Sequence, residues 1–102
     1  MIYVIATIEL KPNCREAFLE IFQRNVPRVR AEKGCLNYEP TVDIETGLAA
    51  QGPLRDNVVT IVEAWEGLEA LQTHLSAPHM TAYRAQVKDL VQGVTLQVVQ
   101  PA

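Results

Sequence analysis

The 102-residue sequence has few of the features that mark nucleic-acid-binding, membrane or secreted proteins. Basic residues do not cluster beyond Arg28, Arg30 and Lys33, and the net charge is −3, so nucleic acid is not an expected partner. No apolar run approaches the roughly 20 residues that span a bilayer. The first residues, MIYV, lack the basic stretch of a signal peptide, which favours a cytoplasmic location.

Cysteine and histidine are also scarce. The two cysteines, Cys14 and Cys35, do not have the C-x-x-C spacing of a metal site, and a disulfide is not expected in the cytoplasm. The two histidines, His74 and His79, are five residues apart and no paired carboxylate accompanies them in the sequence. We therefore predict no metal site.

One stretch, residues 62–83, contains the only Trp, both His residues and one of the three Tyr residues. A β-branched strand, NVVTIV, precedes it, and leucines at helical spacing follow. The strand carries Glu63 and Trp65 to its carboxyl end on one face, and the helix returns His74 to the same region. This grouping predicts a small-molecule site. The alternative is a structural Trp with a surface His.

The periodicity predicts the order β-α-β-β-α-β. The strands are expected at residues 1–10, 35–44, 57–66 and 94–100, and the helices at 14–32, at 67–75 and after a break at 76–79. Asn13 and Ser76 are predicted to cap helices, Gly34 to follow the first helix and Gly93 to end the last one. This order is typical of a single α+β domain over residues 1–102, with a ferredoxin-like four-stranded antiparallel sheet covered by helices on one side.

The first strand carries apolar side chains on both faces, so both faces need cover. We expect helices on one face and a second copy of the chain on the other, which predicts a homodimer. The face without helices is predicted to carry Tyr3, Ile5, Thr7, Glu63 and Trp65, with Tyr38 or Asn37. Residues 45–55 are predicted to form a loop that either closes over a site or is passive, and the passive interpretation is favoured.

Several short segments form a recognisable set: Glu63-Ala64-Trp65-Glu66, Ala70-Leu71, His74 and Ala77-Pro78-His79, and upstream Val26-Pro27-Arg28-Val29 and Gly34-Cys35-Leu36-Asn37-Tyr38. Together they resemble the antibiotic biosynthesis monooxygenase domain, and in particular its quinol monooxygenase branch. It extends from Met1 to about Gln100.

The resemblance implies a dimeric α+β barrel in which each protomer has its own cavity between sheet and helices. It also implies oxidation of a quinol or another electron-rich aromatic by O₂, without metal, flavin or haem. A proton must then leave the substrate, and the resulting anion must be stabilised.

The roles that the resemblance implies are specific. Trp65, Tyr38 and Tyr83 line the ring site, His74 is the base or orienting group, and Glu63 holds His74 or a substrate hydroxyl. His79 is predicted to contact the polar edge of the substrate, and Asn37 to bind substrate. The alternative for His79 is a local contact at a helix N-terminus, and the alternative for Glu63 is an ion pair with an Arg across the dimer.

Three alternatives remain open from the sequence. The same superfamily includes haem-degrading enzymes, but these expect an Asn in the first strand, where this chain offers only Thr7. A dimeric barrel of this kind can also bind a small molecule, or act as a stress-linked protein, without turnover. The third alternative is an isomerase or lactone-processing enzyme, which needs an acid and a base across the cavity and consumes no O₂.

Overall fold

The computed structural model describes all residues from Met1 to Ala102. The chain forms four strands and three helices: β1 (Ile2–Leu10), α1 (Arg15–Arg30), β2 (Cys35–Thr41), β3 (Val58–Trp65), α2 (Leu68–Leu75), α3 (Pro78–Val87) and β4 (Val91–Val99). The strands make one antiparallel sheet in the order β2-β3-β1-β4. The predicted ferredoxin-like α+β architecture is confirmed, with the second helical segment divided at Ala77-Pro78 as expected.

The core lies between the sheet and the helices. Phe18, Phe22 and Val29 of α1 are buried, and so are Val4 and the alternate residues that follow it on β1. Alternation along β1 therefore places one set of side chains under the helices, as its period-2 pattern predicts. No helix is long and apolar enough to cross a bilayer.

The register of β1 and β3 corrects the predicted position of the site. Trp65 pairs with Ile2 and Glu63 pairs with Val4, and residues directly opposite one another in an antiparallel pair point to the same face. Glu63 and Trp65 therefore lie under the helices, and the prediction that they share the uncovered face with Ile5 is wrong. The spacing of two shows that they share a face, but it does not show which face the helices cover.

The same correction divides the two candidates on β2. Tyr38 pairs with Glu63 and is buried under the helices, whereas Asn37 pairs with Ala64 and lies on the uncovered face. The register shifts between Cys35 and Asn37, with Leu36 as the extra residue. A bulge of this kind breaks simple alternation, so Cys35 and Tyr38 share a face although they are three residues apart.

Helix ends differ from the predicted caps. Asn13 has a left-handed φ of 63° and makes no capping bond, and α1 begins after Cys14. Ser76 ends α2, because its hydroxyl donates to the carbonyl oxygens of Gln72 and Thr73, and it does not cap α3. Asn and Ser favour local bonds with the backbone at either end of a helix, so residue type alone does not determine which end they occupy.

Two glycines have roles other than those predicted. Gly93 lies inside β4, since α3 already ends at Val87. Gly34 has a φ of +85° and lies in the turn between α1 and β2, three residues beyond the C-cap Ala31. A Cβ on Gly34 would lie 2.7 Å from the Cβ of Ala70. Only glycine allows α2 to approach this turn so closely.

Residues 42–57 form a loop, because β2 ends at Thr41 rather than Ile44. Arg55 spans the loop and donates 2.9 Å and 2.8 Å hydrogen bonds to the two carboxylate oxygens of Asp43. None of the residues 42–57 lines the pocket between the sheet and the helices. The loop thus plays no part in the site in this conformation, which agrees with the passive interpretation.

Candidate active site

A cavity of about 470 Å³ lies between the helix-covered face of the sheet and the helices. Every strand and every helix contributes at least one of its 18 lining residues, of which 12 are hydrophobic. Phe22, Tyr38 and Tyr83 form an aromatic wall, with 5.3 Å between the ring centres of Phe22 and Tyr38 and 5.6 Å between those of Phe22 and Tyr83. The volume and lining are typical of a site for a small apolar molecule.

Glu63 is the buried acid of the cavity. Its Oε1 accepts a 2.9 Å hydrogen bond from the indole Nε1 of Trp65. Burial raises the pKa of Glu63 to about 7, and the nearby carboxylate of Glu32 adds to this, while the Trp65 bond opposes it. Near neutral pH the carboxyl group can therefore either give or take a proton.

His74 is held from two sides. Its Nδ1 lies 2.9 Å from Oε2 of Glu32, and its ring centre lies 4.6 Å from that of Trp65 and 5.4 Å from that of Tyr38. Burial lowers the pKa of His74, and the Glu32 bond partly opposes this shift. An ionised carboxylate only accepts hydrogen bonds, so its bond to Nδ1 places the proton there and leaves the lone pair on Nε2.

His79 bonds to the same carboxylate oxygen. Its Nε2 lies 2.9 Å from Oε2 of Glu32, so this single oxygen joins both histidines of the chain. His79 is partly buried and does not line the cavity. His79 therefore contacts Glu32 and does not contact the cavity.

Glu63 Oε2, His74 Nε2 and the hydroxyl oxygens of Tyr38 and Tyr83 make no hydrogen bond to the protein. No fully buried polar side-chain atom of the protein is left without a partner. These four atoms must therefore face open space, and their residues line the cavity. Together they offer a base, a carboxyl group and two hydroxyl donors to a bound molecule.

Both tyrosines stay protonated in the cavity. Burial raises the pKa of Tyr38 and of Tyr83 well above the usual value, and the Glu63 charge raises both further. Arg84, which also lines the cavity, acts in the opposite direction on Tyr83. The two phenols are therefore suited to donate hydrogen bonds to an oxygen that gains negative charge.

The structure brings together four of the predicted site residues and separates the other three. Glu63, His74, Tyr38 and Tyr83 line one cavity. Trp65 is fully buried behind Glu63 and His74, so it positions them and does not line the ring site as predicted. Asn37 and His79 lie outside the cavity, which is at odds with their predicted contact with substrate.

The structure also corrects the predicted partner of Glu63 and the predicted place of Thr7. Glu63 bonds to Trp65 and not to His74, because Glu32 occupies the Nδ1 side of the imidazole. Thr7, the only first-strand side chain considered for a haem site, pairs with Thr60 and lies on the face away from the cavity. The residues at the cavity on β1 are Ala6 and Ile8, so this strand offers the cavity no polar side chain.

Glu32 is the functional candidate that sequence reasoning missed. It follows the C-terminal turn of α1, where a carboxylate faces the negative end of the helix dipole and is disfavoured. This unfavourable position of a carboxylate is the feature of the sequence that could have identified Glu32. Glu32 also supplies the carboxylate whose apparent absence was the reason for excluding a metal site, so that reason does not hold.

Comparisons with known proteins agree with this fold. The family description "Antibiotic biosynthesis monooxygenase" matches residues 1–86. An Escherichia coli K12 protein named "Probable quinol monooxygenase YgiN" is 39% identical over 103 residues, which cover 99% of this chain and 98% of that protein.

Solved structures share the fold. The structure of Rv0793 from Mycobacterium tuberculosis matches with a TM-score of 0.80 and 26% identity, over 99% of this chain and 94% of that one. A protein from Nitrosomonas europaea reaches a TM-score of 0.83 at 17% identity, over 99% and 98% of the two chains, which bears on the fold alone. The matched residues 1–86 include Tyr38, Glu63, His74 and Tyr83. The chain therefore belongs to the antibiotic biosynthesis monooxygenase family.

Proposed function

We propose that this protein oxidises a quinol, or a related electron-rich aromatic, with O₂ and without a bound cofactor. The observation that carries the proposal is the free Nε2 of His74 beside an aromatic wall in a cavity of about 470 Å³. In this mechanism, Phe22, Tyr38 and Tyr83 bind the ring, and Nε2 takes a proton from a ring hydroxyl. The name of the Escherichia coli relative supports the same substrate class.

Removal of the proton makes the substrate an electron-rich quinolate that can reduce O₂. The Tyr38 and Tyr83 hydroxyls donate to its oxygen and stabilise the negative charge. Monooxygenation balances as quinol plus O₂ giving hydroxyquinone plus water, and simple oxidation as quinol plus O₂ giving quinone plus hydrogen peroxide. Glu63, held by Trp65, can return a proton to the reduced oxygen.

We also propose that the protein acts as a homodimer. The side chains of Val94, Leu96 and Val98 on β4 are exposed although they lie on the cavity side of the sheet, and Val99 of the same strand is exposed on the other side. Apolar side chains on both faces of one sheet edge suit burial against a second copy. Sedimentation measurements over a range of protein concentrations test this.

The test of activity is O₂ uptake. Purified protein is mixed anaerobically with a panel of reduced one-ring and two-ring quinols, and O₂ consumption after admission of air is compared with the spontaneous rate. We expect an acceleration that falls roughly 100-fold or more in His74→Gln and is retained in Glu69→Gln, a surface change on α2. Assays for peroxide and for hydroxyquinone distinguish oxidation from monooxygenation.

Two results contradict the proposal. If quinols stabilise the protein against heat but no O₂ is consumed, the cavity binds a small molecule without turnover. If His74→Gln turns over at the wild-type rate, Nε2 is not the base. Circular dichroism of each variant checks that the fold is intact.

A further inference from the structure

Glu32, His74 and His79 form a three-residue cluster beside the cavity, and of the three only His74 lines the cavity. They come from the turn after α1, from α2 and from α3, and one ligand atom of each lies within 4.8 Å of the others. The Glu32 Oε2 lies 2.9 Å from His74 Nδ1 and 2.9 Å from His79 Nε2. Two imidazole nitrogens on separate helices thus converge on one carboxylate oxygen.

We propose that this cluster binds a divalent metal ion of the zinc class. Zinc bonds to nitrogen and oxygen of about 2.1 Å place tetrahedral ligand atoms roughly 3.4 Å apart. The three atoms already lie within 4.8 Å of one another, so shifts of about 1 Å open room for an ion between them. The Glu32 side chain can make this shift, because it also borders an open surface pocket.

That surface pocket provides a route for a cation. It has a volume of about 520 Å³ and is lined by Glu32, Glu66 and Glu69, with Lys33 as its only basic residue. The excess of carboxylates attracts cations to the side of the cluster that faces solvent. The pocket also leaves space for a water molecule as the fourth ligand.

The donor set determines the kind of ion. Two imidazole nitrogens and one carboxylate oxygen suit Zn²⁺, Co²⁺ and Ni²⁺, whereas Mg²⁺ and Ca²⁺ prefer sites made of oxygen. The sequence contains no histidine other than these two, so tight binding of such ions through imidazole can occur only here.

Metal binding has a consequence that rests on the proposed function. A metal on Nδ1 of His74 moves the remaining imidazole proton to Nε2, which is the nitrogen that faces the cavity. The imidazole then has no lone pair with which to take a proton from substrate. The metal-bound protein is therefore expected to be inactive, so that the cluster acts as an inhibitory metal switch.

Titration with Co²⁺ tests the site directly. We expect one Co²⁺ per chain, with the visible absorption of a nitrogen-bound ion, and its displacement by Zn²⁺. Binding should weaken at least 10-fold in His79→Gln and in Glu32→Gln, and stay within about 3-fold of wild type in Glu69→Gln, which changes the pocket but not the cluster. The proposal is overturned if Co²⁺ does not bind stoichiometrically, or if His79→Gln binds it as tightly as wild type.

O₂ uptake tests the consequence separately. Added Zn²⁺ should inhibit the wild type with a midpoint that matches the binding titration. In His79→Gln, relative to its own metal-free rate, the midpoint should rise at least 10-fold. Binding without inhibition would keep the site and remove the switch. Binding to a protein with no quinol turnover at all would keep the site and contradict the proposed function.

Discussion

The two sides of the helix-covered sheet face differ sharply in how deeply their side chains are buried. On β3, Trp65 is 0% exposed and Glu63 is 6% exposed, whereas on β4 Val94, Leu96 and Val98 are 59%, 45% and 41% exposed. All five side chains point to the helix-covered face. We call the β2–β3 side the packed half and β4 the open half.

This difference in burial separates the residues that hold reactive groups in place from the residues that form an apolar wall for a ligand. On the packed side of the cavity, Glu63 and His74 each have a partner that fixes one of their polar atoms: Trp65 for Glu63, and Glu32 for His74. In the open half, Val94 and Leu96 form an apolar wall of the same cavity without being buried themselves. Reactive groups need fixed geometry, whereas an apolar wall tolerates change and remains available to a ligand or a second copy.

The largest expected effect is the difference in stability cost between a substitution in the packed half and one in the open half. Trp65→Ala removes a fully buried indole and leaves Glu63 without its donor, so we expect a loss of about 3–5 kcal/mol in the free energy of unfolding. Within a single chain, Leu96→Ala at a half-exposed position should cost less than about 1 kcal/mol. Urea unfolding of both variants at one low protein concentration, at which sedimentation shows a monomer, makes the comparison. A cost for Leu96→Ala as large as that for Trp65→Ala under these conditions would mean that β4 is already buried within the chain.

The second prediction uses the titration of Glu63. Its pKa rises from 4.5 to about 7 on folding, so the folded protein binds this proton more tightly than the unfolded chain. The free energy of unfolding therefore falls as pH rises from about 4.5 and levels off above about 7. The full change is roughly 3 kcal/mol, reached near pH 8. The groups that face Glu63 are Trp65, Tyr38, Tyr83 and, at longer range, Glu32.

Glu63→Gln is the matched variant for this effect. Its amide oxygen can still accept from Trp65 but has no charge to bury, so the contribution of this site to the pH slope should vanish and stability at pH 8 should increase. Unfolding curves at pH 5, 6, 7 and 8 make the comparison with wild type. A slope that is the same in both proteins would show that Glu63 does not titrate in this range.

The third prediction concerns the turn that brings Glu32 to His74. Gly34 has a φ of +85°, and a Cβ there would lie 2.7 Å from the Cβ of Ala70. Gly34→Ala should cost about 2 kcal/mol, because both the backbone strain and the clash oppose folding. It should also move α2, so the imidazole resonances of His74 should shift in NMR spectra. If Gly34→Ala changes neither the free energy of unfolding nor the His74 resonances, the packed half is less rigid than its contacts indicate.

These residues also show how far sequence reasoning reaches. The strands and helices follow from periodicity, and Glu63, Trp65 and His74 were found because they occur together in one short stretch. Periodicity does not reveal which face of β3 the helices cover, since that depends on its pairing with β1. Glu32 lies 42 residues from His74 and 47 from His79, so only the fold reveals these contacts.

The smallest effect concerns the open half. Gly93 lies inside β4 without a left-handed φ, and a Cβ there would meet only Oε2 of Glu9, at 3.2 Å. The Glu9 carboxylate is the end of a flexible, exposed side chain and can move away. Gly93→Ala should therefore change the free energy of unfolding by no more than about 0.5 kcal/mol, and a small gain is reasonable because glycine weakens strands. A loss of unfolding free energy near that of Gly34→Ala would show that β4 is as tightly constrained as the packed half. The distinction between a fixed set of reactive groups on one side and a tolerant apolar wall on the other would then fail.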